Sequence, residues 1–192
     1  MPVKGLKVCT PTSVVVTGSG SESATINSDG SVSFTACTSL SLNDIFTSEY
    51  DNYKMTIRCA GANTNRTLMF RLRDGGIDES SPSNYYDYQQ LYAQSTTIAG
   101  SRNTASNLGR LFTIGHGGGN EKSGGVCYFF EPYTVLTTAV RAVAASNYSV
   151  LPSVLVSDYA TTHYRYLYYS SVTLFPSADT FEGLVTVAGW VK

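Results

Sequence analysis

The sequence predicts an all-β fold: an antiparallel β-sandwich, jelly-roll-like, with an N-terminal arm and one short helix. Three observations carry this. Tyr53, Met55, Ile57 and Cys59 take every second position, with Lys54, Thr56 and Arg58 between them. Leu68, Phe70 and Leu72 repeat the pattern, interleaved with Met69, Arg71 and Arg73. Successive side chains of a strand point to opposite faces, so each segment has one apolar and one wet face. Turn signals separate such segments by roughly 8–12 residues, the spacing of a sandwich.

The elements follow in order. Residues 1–35 are expected to form an attaching arm and a hairpin, and residues 36–192 the sandwich domain. Thr12 to Val16 is a short apolar run, and Gly18-Ser19-Gly20-Ser21 reads as flexible. Asn27-Ser28-Asp29-Gly30 is a turn suited to positive φ, and Val32 and Phe34 alternate beyond it. Ser41 to Tyr50 is the helix candidate. Ser41 would cap it, Asp44 stands where a capping-box acid stands, and Leu42, Ile45 and Phe46 form a small apolar stripe. Such a short segment has no stability of its own and would plug one end of the sandwich.

Strands are expected over residues 52–60 and 66–73. The stretch 74–84 reads as a polar loop, and Tyr85 to Tyr92 as a moderately alternating segment. Residues 99–109 read as loop and 110–114 as a short strand. Gly115 to Gly125 is a Gly-rich loop. Val126 to Phe130 is a continuous apolar run, expected to be a fully buried strand. Further strands are expected over 137–145, 164–175 and 181–191. No heptad, collagen period or internal repeat appears, so no fibre shaft is expected.

Composition narrows the function. The chain has 192 residues, 42% hydrophobic, enough for one domain with a core. Only 14% are charged and the formal net charge is −1. Without a basic block, nucleic acid is not an expected partner. Hydroxyl-rich, weakly charged faces suit a protein bedded among neighbours, where charges are costly to desolvate. Fourteen Tyr and eight Phe serve strand propensity and core filling, and Tyr also serves interfaces.

The four cysteines, Cys9, Cys37, Cys59 and Cys127, show no CxxC spacing. They read as free thiols, with Cys59 and Cys127 buried among apolar neighbours. Met1 to Lys7 lead into no apolar segment, so no secretory signal is expected. No run is long enough for a membrane span. The sequons at Asn65 and Asn147 are therefore read as chance.

Catalytic chemistry finds little purchase. His116 lies in an HGGG string like an esterase oxyanion loop, but no Ser has Gly at both −2 and +2 as a nucleophile elbow demands. His163 reads as a structural, hydrogen-bonded histidine. Asp74, Asp78 and Glu79 share one loop. Paired acids can cleave glycosides, yet three acids in a polar loop are more often solvated. Their spacing also misses the EF-hand pattern. No catalytic residue, cofactor or metal ligand is assigned. The candidate interface or receptor contacts are Tyr85, Tyr86, Tyr88, Tyr92, His116, Tyr166 and Tyr168. Tyr serves a subunit interface or a sugar-contacting platform equally well.

The segment Ser39 to Tyr53, SLSLNDIFTSEYDNY, resembles a recurring stretch in small virion proteins of tailed bacteriophages. There an LNxVF…YDNY string precedes a strand, and an LxxRxRxxGxD string follows. Leu68 to Asp78, LMFRLRDGGID, is similar to the latter with one extra residue. Gly5 to Val14 resembles their GL…PTSV opening, and Asp179 to Gly189 their GTFxGTVSVYG close. The resemblance implies a non-enzymatic surface protein of a phage particle, assembled in the host cytoplasm. The expected role is a tail-associated fibre or receptor-binding protein. The alternatives are a head decoration protein and, remotely, a polysaccharide-degrading enzyme. The implied assembly is a homotrimer that joins other virion proteins through residues 1–35. A host glycan or protein is the implied receptor.

Overall fold

The computed structural model describes residues 5–61, 65–80, 85–94, 96–115, 123–147 and 154–191. Fourteen strands build it: β1 (Leu6–Val8), β2 (Ser13–Ile26), β3 (Val32–Asn43), β4 (Tyr50–Gly61), β5 (Arg66–Asp74), β6 (Ile77–Asp78), β7 (Tyr86–Gln94), β8 (Thr97–Ser106), β9 (Gly109–Ile114), β10 (Ser123–Phe130), β11 (Thr138–Asn147), β12 (Val154–His163), β13 (Ser171–Pro176) and β14 (Phe181–Val191). They form one antiparallel sheet in the order β6-β5-β13-β3-β14-β4-β10-β11-β12-β7-β8. Off that path, β1 pairs with β14, β2 with β3 and β9 with β5.

The sheet curls back on itself, and β3 is where it turns. Val32 to Cys37 pair with β14, whereas Leu40 to Leu42 pair with β13. Between them Ala36 takes a φ of 54°, a left-handed conformation that bends an L-residue strand at some cost. The bend brings β5 and β9 over strands far from them in the pairing order. Phe70 of β5 meets Phe129 of β10 at 5.6 Å and Tyr86 of β7 at 5.8 Å, both edge-on. Phe46 closes the same cluster, 5.3 Å from Phe129 and 4.8 Å from Tyr53. Edge-to-face aromatic pairs add to the apolar burial, so this cluster holds the two layers together.

Two glycines make the close approaches possible. A Cβ on Gly125 of β10 would lie 2.6 Å from the Phe112 ring of β9. Gly183 sits at a bulge in β14 with φ 157°, and a Cβ there would meet the Arg58 carbonyl oxygen at 2.1 Å. Only glycine fits either place.

The hairpin turn forms as its residues demand. Gly30 has φ 80°, the Asn27 amide donates to the Ser31 carbonyl at 2.8 Å, and the Asp29 carboxylate accepts from the Ser31 amide and hydroxyl. The expected boundary at residue 35 falls inside β3, where Val32 and Phe34 are already core residues. Gly18 to Ser23 interrupts the β2–β3 register, yet β2 continues through it.

Four expectations about elements are corrected. No helix forms over Ser41 to Tyr50 among the described residues. Ser41 and Leu42 stay in β3, and Asp44 takes a φ of 56°, which no helix start tolerates. The Asp44 carboxylate accepts from Thr12 and its amide donates to Ser171, so it caps nothing. Ile45 and Phe46 are nevertheless fully buried. Residues 164–170 are not in a strand: β13 begins only at Ser171. Residues 97–106 form β8 rather than a loop. As an edge strand paired only with β7, β8 is wet on both faces and needs no apolar alternation. Finally, Val126 to Phe130 is not fully buried. Cys127 and Phe129 face the core, while Tyr128 and Phe130 face outward.

All four cysteines are free, and Cys37, Cys59 and Cys127 are buried. Burial pushes the Cys59 thiol up to about 12 and raises Cys127 further. In a native-state reaction with a thiol-specific disulfide reagent at pH 8, Cys9 should be modified first. The other three should react only after unfolding, when all four count. A second expectation concerns the ring cluster. Phe129→Ala should lower the free energy of unfolding by about 3–5 kcal/mol in a urea titration.

Candidate functional site

β7 has two faces, and they place the sequence-predicted tyrosines in different settings. Tyr86, Tyr88 and Tyr92 share the inward parity, while Gln89 and Leu91 face out. Tyr86 is a core residue. Its hydroxyl accepts from the Leu72 amide at 2.8 Å and donates to the Glu79 carbonyl at 3.4 Å. Burial pushes its phenol far above the usual range. Tyr88 is buried beneath Arg110, whose guanidinium lies 4.5 Å from its ring centre. Neither can be a surface contact, which corrects that expectation for both.

Tyr166 and Tyr168 lie on one exposed aromatic row, bordered by the half-buried Tyr85. Residues 164–170 are irregular, turned by the Leu167 amide on the Arg165 carbonyl and anchored by the Tyr164 amide on the Tyr85 carbonyl and the Tyr169 amide on the Pro132 carbonyl. Tyr166 and Tyr168 are 63% and 53% exposed. Tyr85 joins the row through Tyr164 at 5.4 Å, and Tyr133 joins it through Tyr168 at 5.6 Å. Arg165 lies 5.6 Å from the Tyr85 ring centre and pairs with Glu79. His116 lies outside the described residues, as does most of the Gly-rich loop.

A second aromatic surface was not foreseen. Tyr128 of β10 stacks between Phe130 and Trp190, at 6.5 Å and 5.9 Å, with interplanar angles near 25°. Phe130 is 40% and Trp190 37% exposed. Leu6 and Val8, on the strand paired to β14, lie beside them and are exposed too. Further along the same outer face stand Val143, Val156 and Leu91. The signal was present in the parity: Tyr128 pairs with Lys54 and Trp190 with Leu6, so each shares an outward register with its partner.

Tyr92 lines a polar cleft of about 280 Å³. Gln90, Gln94, Arg66, Arg110 and Tyr159 line it with Tyr92, drawn from β7, β5, β9 and β12. None of this was legible in the sequence, because the strands meet only once the sheet has curled.

The acids of the 74–84 stretch are engaged. Asp78 accepts from the Thr173 hydroxyl at 2.6 Å and lies 3.2 Å from Arg73 Nε. Glu79 is held by Arg165. Asp74 is exposed. Among the described residues, no three of His, Cys, Asp and Glu lie together as a metal site.

His163 is 1% exposed and enclosed by rings: Tyr86 at 4.4 Å, Tyr169 at 5.1 Å and Tyr85 at 6.0 Å. Neither ring nitrogen has a hydrogen-bond partner among the described residues, so rings rather than hydrogen bonds hold it. Burial, with help from Arg165, lowers its pKa from 6.5 to about 4.

No protein-family model matches this chain, and no curated protein matches it. Among solved structures, a basic winged bean lectin crystallised with Tn-antigen is similar over 96% of this chain and 92% of its own. The sequence identity is 8% and the TM-score 0.29.

The histidine yields a prediction. The unfolded chain binds the His163 proton near pH 6.5, whereas the folded chain resists it down to about pH 4. Its contribution to stability is therefore complete above pH 6.5 and is lost as the pH falls toward 4. The loss should approach about 3 kcal/mol in urea titrations at stepped pH. His163→Phe should flatten that part of the profile.

Proposed function

We propose that this chain is a non-enzymatic structural protein on the surface of a tailed-bacteriophage particle, acting as a tail-associated fibre or receptor-binding protein. The observation that carries this reading is the aromatic outer skin. Tyr128, Phe130 and Trp190 form one uncovered stack, and Tyr164, Tyr166 and Tyr168 are separately exposed on a second segment. Uncovered patches rimmed by polar residues mark surfaces meant for partners. Tyr and Trp suit such surfaces because they bury much area while keeping a polar handle. The curled sheet is read as a jelly-roll-like sandwich, a rigid carrier for these faces.

In this reading three copies join through the Tyr128–Trp190 face, and the Tyr164–Tyr168 row is left for the host surface. Residues 1–35 make the attachment to other virion proteins. The available part is the exposed side of β2, since β1 borders the Tyr128–Trp190 face and Val32 and Phe34 are committed to the core. A second reading, a head decoration protein, is favoured by one further surface. The outer side of β2 and β3 carries a hydroxyl network, with Thr17 bonded to Thr38 at 2.8 Å and Ser39 at 2.7 Å. Hydroxyls bed against neighbours at lower desolvation cost than charges do.

Copy number separates the two. A tail component should appear at a few copies per particle on a quantified virion gel, and a decoration protein by the hundred. Sedimentation of the purified chain should give three times 20.7 kDa. Trp190→Ala with Tyr128→Asp should reduce it to a monomer of unchanged circular dichroism. A wild-type monomer at tens of micromolar would remove the trimer.

A further inference from the structure

We infer that the cleft between β7, β12, β5 and β9 is a binding site for an acidic sugar residue, one bearing a carboxylate on a polyhydroxylated ring. The inference rests on the receptor-binding reading and names what the receptor would present.

Its walls set the ligand chemistry. Tyr92 offers a ring face above the buried Tyr159, Gln90 and Gln94 offer amides, and Arg110 and Arg66 offer guanidiniums. Among the described residues, no carboxylate lines the cleft. Arg66 is already neutralised by Asp179, which it meets through Nε at 3.0 Å. Arg110 has no such partner: its guanidinium lies over Tyr88, and its buried Nε makes no hydrogen bond. The Gln90 side-chain oxygen is likewise buried without a partner. Buried polar atoms are nearly always satisfied, and leaving them unpaired is costly. A carboxylate on the Arg110 guanidinium and a hydroxyl on the Gln90 amide would give both enclosed atoms partners once the two side chains turn toward the cleft. A charge-assisted bond to a guanidinium is also the strongest polar contact the cleft can offer. The volume, about 280 Å³, lies at the small end of ligand cavities and suits one ring.

A larger groove of about 490 Å³ on the outer side of β13 and β5 makes the contrast. Its charged groups already pair with one another: Arg73 Nε, though without a hydrogen bond, lies 3.2 Å from Asp78. Ser41 bonds Thr173 at 3.0 Å, Thr173 donates to Asp78, and Asp78 faces Arg73. A ligand there would displace bonds rather than supply them.

The test is a titration of isotopically labelled protein, followed by backbone amide resonances, with galacturonic acid and with galactose. Galacturonic acid should shift the amides around Gln90, Tyr92, Arg110 and Tyr159, and galactose should bind about tenfold more weakly. Arg110→Gln should bring the two affinities together. If that variant misfolds by circular dichroism, Gln94→Ala decides, and should weaken both sugars without changing their ratio. Equal affinities in the wild type, shifts confined to other surfaces, or no binding of either sugar would overturn the inference. Adsorption of the labelled protein to cells of the phage's own host separates this failure from that of the broader reading. Cells that bind wild type and Arg110→Gln alike leave the receptor role standing and remove the cleft. A protein that binds galacturonic acid but no host cells keeps the cleft and removes the role.

Discussion

The structure depends on a single strand serving two neighbours. β3 gives its first half to β14 and its second half to β13, and the left-handed Ala36 lies between the two pairings. Were β3 straight, the sheet would remain an open ribbon and its apolar parity would face water. Because it bends, Phe70 reaches Phe129 and Tyr86, and Phe46 reaches Phe129 and Tyr53. Apolar burial is non-directional, but it needs a geometry that opposes two apolar faces. The bend supplies that geometry, and Gly125 and Gly183 let the backbones come close enough for dense packing.

With the inner faces spent on the core, the outer faces carry what remains of the aromatic content. They differ in kind. The Tyr128–Phe130–Trp190 stack lies flat along strands and is held by the ladder beneath it. The Tyr164–Tyr168 row stands on an irregular segment tied down by a few backbone bonds and by the ring cage around His163. A flat, rigid face suits a permanent contact, while a row on irregular backbone can adapt to a partner. The two surfaces are therefore read as serving different partners.

Strands β4, β5 and β14 were legible because each is half-buried and flanked by turn residues, so period-two alternation survives in the letters. β10 was misread for a related reason: its outward positions hold Tyr128 and Phe130, so an alternating strand looked uniformly apolar. β8 and most of β2 were invisible because a one-neighbour edge strand buries almost nothing. The helix over Ser41 to Tyr50 was a local reading that tertiary contacts overrode, with Thr12 and Ser171 claiming Asp44. Among the tyrosines, abundance was readable and direction was not. Tyr166 and Tyr168 face out and Tyr85 is half-buried, but Tyr86 and Tyr88 face in, paired with His163 and Thr161 of β12. Gln90, Arg110 and Tyr159 carry no motif, since the cleft exists only where distant strands meet.

Among the described strands the sheet does not close: β6 and β9 end it on one side and β8 on the other. Along its outer rim β8 offers a row of amides and carbonyls to which no other described strand is joined. Left bare, such a rim recruits any extended peptide that drifts past, and a long flat one seeds fibrils. Here the rim runs ten residues but is bent at Ala105, with a φ of 56°, and is rich in Ser, Thr and Asn, with Arg102 on it, so stray recruitment gains little apolar contact. The molecule thus keeps an open margin in solution without becoming a template for its own disorderly growth.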